Sequence, residues 1–372
     1  MNTHTLAALG LAALSSSPGW AQTSPSAKTW NVDISGYADL YYQYDFGRPA
    51  HSGGVNGRWF DINHDEYTLA ALQLDLSRAP TAQNPLGFLV SLYAGKNADI
   101  VASTEPGGID TYKNFLQAYA SYLVPGKIST TIDFGKWTSF IGYEGFDSRS
   151  QDNYSRSFVF TGLEPGYMTG LRTTTVLDPR WTANLYAFQG CNEVQDSNHG
   201  KTFGAGVTRS FGSGSVTLTG YYGDEGSDTQ NDSGSYGGIG FPTPGVSKVA
   251  QASLYGSWQV NAKDKLAFDA EYASAKGKGN WSGAEIIYRR QIDKRNAAAF
   301  RLDHAEDPDG LRFFAGSLGL NSLTGTYDLT LSTNVLFRLE LRHDLASNDY
   351  FDSASGPKRQ RTTITFAQIV KF

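Results

Sequence analysis

Thr362-Thr363-Ile364-Thr365-Phe366-Ala367-Gln368-Ile369-Val370-Lys371-Phe372 closes the given sequence. From Ile364 onward the even positions carry Ile364, Phe366, Val370 and Phe372, with Gln368 alone polar. The odd positions mix Thr365 and Lys371 with Ala367 and Ile369. A period of two is the signature of a strand, and about eleven residues tilted by roughly 45° is enough to cross a bilayer. Taken alone, the segment reads more simply as an edge strand of a soluble β-domain, so the choice falls to the upstream sequence.

Upstream, Val32, Ile34, Gly36, Ala38, Leu40, Tyr42, Tyr44 and Phe46 share one face, and Asp33, Ser35, Tyr37, Asp39, Tyr41, Gln43 and Asp45 the other. The face holding Asp33, Asp39 and Asp45 must see water, while the apolar face ends in aromatics, as an interfacial girdle does. Ala70, Leu72, Leu74 and Leu76 repeat the pattern, as do Leu116, Ala118, Ala120, Tyr122 and Val124. Counting onward to the final segment gives about sixteen strands, an even number within the range of bacterial barrels.

The connections alternate in length. Gly47 to His64 is long and Ala79 to Pro85 short; Asn97 to Tyr112 is long and Pro125-Gly126-Lys127 short. Thr138 to Tyr167 is the longest, and the alternation continues to the long Leu345 to Arg361. Short turns at one rim and long loops at the other define an all-β, transmembrane, antiparallel up-and-down β-barrel. An even strand count puts both ends of the barrel on the short-turn side.

Composition agrees. The 372 residues include 41 Gly, 21 Tyr, 21 Phe and only 2 Met, which is strand-and-turn usage. No stretch approaches the roughly 18 consecutive apolar residues of a transmembrane helix. Leu6 to Leu14 followed by Gly19-Trp20-Ala21 reads as a secretory leader over residues 1 to 21, although Met1 to Thr5 lacks the usual Lys or Arg. The barrel is then expected over residues 22 to 372. The single cysteine, Cys191, excludes an intrachain disulfide, and a net charge of −5 without a basic run gives no reason to expect nucleic acid.

Chemistry is expected inside the barrel. The loop Thr138 to Tyr167 carries Glu144, Asp147, Arg149, Asp152, Arg156 and Glu164, too polar to cover a membrane face. On the last hairpin, Val335, Phe337, Leu339, Leu341 and His343 form the outer face, leaving Arg338, Glu340, Arg342 and Asp344 in the lumen. Arg172, Arg289, Arg301, Asp303, Asp269 and Glu271 fall on lumen positions too. The expected pore constriction is the loop's Glu144, Asp147, Arg149, Asp152 and Arg156 facing Arg172, Arg301, Arg338 and Arg342. Opposed charges there would set a transverse field that favours polar solutes. The simpler alternative is that these charges only pair across neighbouring strands.

Several peptides now carry a resemblance. Gly36-Tyr37-Ala38-Asp39 with Tyr41 to Phe46 and Arg48-Pro49 resembles the opening strand of the OmpL-like β-barrel porin family. Asp133-Phe134-Gly135-Lys136, Gly142-Tyr143-Glu144, Asn153 to Ser157, Thr169 to Arg172 and Asp196 to Thr202 are similar to its middle. Cys191 stands where the family pattern has an aromatic. The resemblance implies a pore for small hydrophilic solutes in the cell outer membrane, with no catalytic residues to carry over. Porins often fold their third outer loop into the lumen, which makes Thr138 to Tyr167 the constriction.

No cofactor is expected. Expected partners are outer-membrane lipid and lipopolysaccharide, small hydrophilic solutes and, through the C-terminal strand, the barrel-assembly machinery; a homo-oligomer is left open. The main rival is a structural or adhesive barrel with a plugged lumen. A hydrolase would need a nucleophile beside His304 or His343, and no G-x-S-x-G stands near either. Calcium could be held by Asp224, Glu225, Asp228 and Asp232, or by Asp303, Asp307 and Asp309, but neither set has EF-hand spacing.

Overall fold

The computed structural model describes residues 31–50, 54–103, 112–226 and 248–372. The leader expected over residues 1 to 21 lies outside them. Sixteen antiparallel strands form one closed barrel in simple sequence order, from β1 (Asp33–Asp45) to β16 (Gln360–Lys371), which also pairs with β1. The strands between are β2 (Glu66–Arg78), β3 (Leu86–Ala94), β4 (Phe115–Val124), β5 (Ser129–Thr138), β6 (Tyr167–Asp178), β7 (Trp181–Cys191), β8 (Thr202–Phe211) and β9 (Gly214–Asp224). They continue with β10 (Lys248–Gln259), β11 (Asp264–Ala275), β12 (Gly279–Gln291), β13 (Asn296–Asp307), β14 (Leu318–Ser332) and β15 (Val335–Ala346). Closure satisfies every edge, the condition for a sheet to stand in hydrocarbon.

The seam is made by the segment that opened the sequence reading. Gly36 N donates to Phe372 O and Phe372 N to Gly36 O, both at 3.1 Å, and Asp39 pairs with Ile369 in register. Outward, Leu40, Phe134, Leu171, Leu185, Phe203, Phe300, Leu339, Leu341 and Phe366 are exposed around the wall. Inward, Asp39, Gln43, Arg301, Arg338, Glu340, Arg342, Thr363 and Thr365 are buried. One medium outside and another inside follow from strict alternation.

Two outward assignments are corrected. Leu69, not Ala70, joins Leu72 on the outer face: the register against β1 slips between Asp39 and Leu40, and Ala70 is the extra, buried residue. Leu116 likewise turns inward, because the β3–β4 register slips between Ser91 and Leu92. A β-bulge adds one residue and inverts the period beyond it, so the pattern breaks without the strand ending. The second long loop also contains a short helix, α1 (Lys96–Ala102), that periodicity did not suggest.

The seam leaves no room for a side chain at residue 36. A Cβ there would sit 2.4 Å from Gln73 O and 2.5 Å from the Phe372 ring. We expect Gly36→Val to lower the yield of folded, heat-modifiable barrel several-fold on unboiled SDS gels, and Phe372→Ala to weaken closure less; an unchanged yield for Gly36→Val would show that the seam adapts.

Candidate functional site: the loop inside the barrel

The third outer loop joins β5 to β6 and lies within the barrel. Every residue from Gln151 to Met168 is buried, including a π-turn, Val159–Leu163. Aromatic packing anchors the loop at two places. Phe146 and Phe160 meet Trp59 and Phe60 of the first loop at ring separations of 5.5–6.2 Å. Phe158 packs between Phe313 and Phe351, each 6.3 Å away.

Burying a loop takes its backbone amides and carbonyls out of water, and each then needs a partner. The wall strands β13 and β15 supply most of them. Arg301 Nη1 donates to Ser155 O at 2.6 Å and pairs with Glu144 at 2.7 Å. Arg338 Nη2 donates to Gln151 O at 2.5 Å, and Nη1 to Asn153 O at 3.1 Å. Arg342 Nη1 donates to Arg156 O at 2.5 Å. The donors of the loop meet carboxylates: Glu340 accepts from Tyr154 N at 2.6 Å and Ser155 N at 3.0 Å. Asp303 accepts from Phe158 N at 2.9 Å, and Glu144 from Ser157 N at 2.6 Å. Acid and base alternate along these strands, so that both carbonyls and amides of the loop find partners.

The nine expected constriction residues therefore separate into groups. Glu144 meets Arg301, and Arg338 and Arg342 hold loop carbonyls, all four side chains being enclosed. Arg156 turns back on its own loop, donating to Gly145 O, Phe146 O and Tyr154 O. Asp147 and Arg149 pair with each other, and Arg149 reaches Asp75 of β2 at 3.0 Å. Asp152 takes Lys265 of β11 at 2.6 Å. Arg172 is not brought to the loop; it pairs with Asp133 on the neighbouring strand at 2.8 Å, over the Tyr119 and Trp137 rings. Sequence reading placed Glu340 and Asp303 in the lumen without a role, and passed over Asp75 and Lys265, whose only signal was strand parity.

Two cavities adjoin the charged groups of the site. One, of about 660 Å³, is lined by Lys265, Arg289, Gln259, Asn261 and Gln291. Another, of about 390 Å³, is lined by Asp75, Asp147, Arg149, Gln117 and Thr138. In the first, the cations face water more than their partners do: Lys265 is 22% exposed against 3% for Asp152, and Arg289 22% against 2% for Asp328.

Of the loop calcium sets read from the sequence, Asp303, Asp307 and Asp309 are not assembled. Asp307 accepts three backbone N–H groups, from Leu311, Arg312 and Phe313, and Asp309 accepts from Asn280 N. Asp224 pairs with Lys248, and Asp228 and Asp232 lie outside the described residues. His304 stands on the outer face beside Glu306 and Asn321, and His343 beside Thr362. Elsewhere, Glu164 of the loop and Asp269 and Glu271 of β11 each bring a carboxylate oxygen within 4.8 Å of the others. Burial, reinforced by Glu271 and Asp269, pushes the Glu164 carboxyl well above its ordinary range.

Comparison with known proteins places this architecture. Residues 31–372 match the family described as "Putative beta-barrel porin-2, OmpL-like". The chain belongs to this OmpL-like porin family. Membership makes it an outer-membrane β-barrel of the porin class. No curated protein matches it in sequence. In fold, this OmpL-like porin is similar to an anion-selective porin from Comamonas acidovorans, at 12% identity and a TM-score of 0.60, covering 92% of this chain and 99% of that one. It is also similar to the trimer form of OmpT from Vibrio cholerae, at 8% identity, a TM-score of 0.58 and coverage of 92% and 99%. Salmonella typhi OmpF, in complex with daunomycin, follows at 13%, 0.55 and coverage of 92% and 97%.

Removing Arg338 and Arg342 together strands the carbonyls of Gln151, Asn153 and Arg156. Breaking a buried, hydrogen-bonded charge costs about 3–5 kcal/mol. We expect Arg338→Ala with Arg342→Ala to lower thermal stability and to open the loop to added protease while the wall strands stay protected; an uncleaved loop would mean that its aromatic anchors suffice.

Proposed function

We propose that this barrel is a passive, water-filled channel for small hydrophilic solutes, narrowed by the loop Thr138 to Tyr167. The observation that carries the reading is a charged loop tethered to the lumen wall, with its own Asp147 and Arg149 and the wall's Lys265 and Arg289 lining two cavities. Of the residues first expected at the constriction, Arg301, Arg338, Arg342, Glu144 and Arg156 give the narrowing its shape. Asp147, Arg149, Asp152 and Arg172, together with Lys265 and Arg289, supply its field. The chain is then exported with residues 1 to 21 removed, and performs no catalysis.

The exposure of Lys265 and Arg289 over their sunken partners favours anionic or neutral solutes. The similarity to an anion-selective porin is consistent with that preference. The trimer form of one fold relative supports assembly as a homo-oligomer. Lipid and lipopolysaccharide around the wall, and the assembly machinery at β16, complete the expected partners.

A second reading has an observation in its favour. The unbroken burial from Gln151 to Met168 suits a plugged barrel whose outer loops bind a partner. Single-channel recording in a planar bilayer separates the two: stepwise current supports the channel, and a silent membrane containing inserted barrels supports the plug. For a conducting barrel, Lys265→Ala with Arg289→Ala is expected to move the reversal potential under a salt gradient toward cation preference. An unmoved potential would remove both residues from the solute path.

A further inference from the structure

Around Glu164 the lumen holds more carboxylates than its hydrogen bonds account for. Glu164 follows the π-turn of the third loop, while Asp269 and Glu271 stand two residues apart on the inner face of β11. One oxygen from each lies within 4.8 Å of the other two, and all three residues are buried. Glu285 of β12 pairs directly with Asp269 in register and points to the same side, which sets their Cβ atoms about 4.5–5.5 Å apart.

Their partners are unevenly distributed. Asp269 is held on both oxygens, by Tyr143 N at 2.8 Å and Ser253 Oγ at 2.9 Å. Glu271 Oε2 accepts from Gln251 Nε2 at 2.9 Å, and Gln251 is itself fixed by Leu163 O and the Tyr221 hydroxyl. That leaves Glu271 Oε1, Glu164 Oε2 and Glu285 Oε2 buried without a hydrogen-bond partner. Glu285 is only 4% exposed and lies outside the group of three, yet it faces it. Of the nearby cations, Arg301 is engaged by Glu144, Asp303 and Ser155, and Arg312 Nε donates to Gly162 O at 2.7 Å.

The backbone also holds the group in place. Gly142 has φ +88, and a Cβ on it would lie 2.1 Å from Glu164 Cδ. The Glu164 carboxylate is thus seated against bare backbone, fixed by shape and turned toward β11. Buried carboxylates so arranged take up either protons or a positive charge among them. A donor set made only of carboxylate oxygens selects a hard cation. Ca²⁺ binds oxygens at about 2.3–2.6 Å, so that oxygens on opposite sides of it are about 4.6–5.2 Å apart; Mg²⁺ would draw them closer.

We propose that Glu164, Asp269 and Glu271, with Glu285 beside them, form a Ca²⁺ site that ties the C-terminal end of the third loop to β11 and β12. It complements the arginine clamps of β13 and β15, which hold the middle of the same loop. Its ligands come from the loop and the wall, so binding fixes one against the other whether or not solute passes.

The test uses the whole barrel refolded in detergent free of lipopolysaccharide, which removes lipid-bridging Ca²⁺, and stripped with EDTA. Titration calorimetry with CaCl₂ is expected to show one saturable site per chain. Glu164→Gln and Glu271→Gln should each weaken it about tenfold or more, while Asp352→Asn, an exposed carboxylate of the last loop, leaves it unchanged. Absence of saturable heat in the parent protein, or equal binding by both Gln variants, overturns the proposal. Should the variants not fold, protease protection of the third loop by CaCl₂ in the parent protein decides it, and cleavage that ignores Ca²⁺ overturns it. Conductance is not part of this test, so a failed site and a failed channel remain separate results.

Discussion

A loop drawn into a barrel carries its peptide groups away from bulk water, and that desolvation governs the interior of this protein. The chain meets it by aiming alternating charges at the loop from two strands, β13 and β15. Arg301, Arg338 and Arg342 offer N–H donors to carbonyls, and Glu340 and Asp303 accept from amides. Each guanidinium can reach several acceptors at once in a fixed plane, which suits the irregular spacing of carbonyls in a loop without regular structure. Lysine at these positions would leave part of the loop unpaired.

The wall obeys a simpler rule. Its outer residues meet hydrocarbon and its inner residues meet water or the loop, and a single alternating pattern serves both. This is why the barrel, its strand number and the alternation of short turns with long loops could be read from the sequence. Bulges at Ala70 and Leu116 are where the reading slipped, since an extra residue inverts the period without any change in composition. The helix Lys96–Ala102 was missed because seven residues are too few to establish a period.

The site was legible in part. Strand parity put Arg301, Arg338 and Arg342 in the lumen, and loop length pointed to Thr138 to Tyr167. What parity cannot supply is depth, or the identity of the group opposite. Arg172 and Arg301 have the same parity signature, yet one settles on a neighbouring strand and the other on the loop. Glu164 and Glu271 are 107 positions apart in the chain, and only the path of the folded loop brings them together.

The clamps also bear on the order of assembly. The loop is complete by Tyr167, but the strands that grip it begin at Asn296 and end with Ala346. Loop and clamps stand on opposite arcs of the closed sheet, so the loop can be seated only when both arcs are present, and its anchoring is a bond across the lumen rather than along the wall.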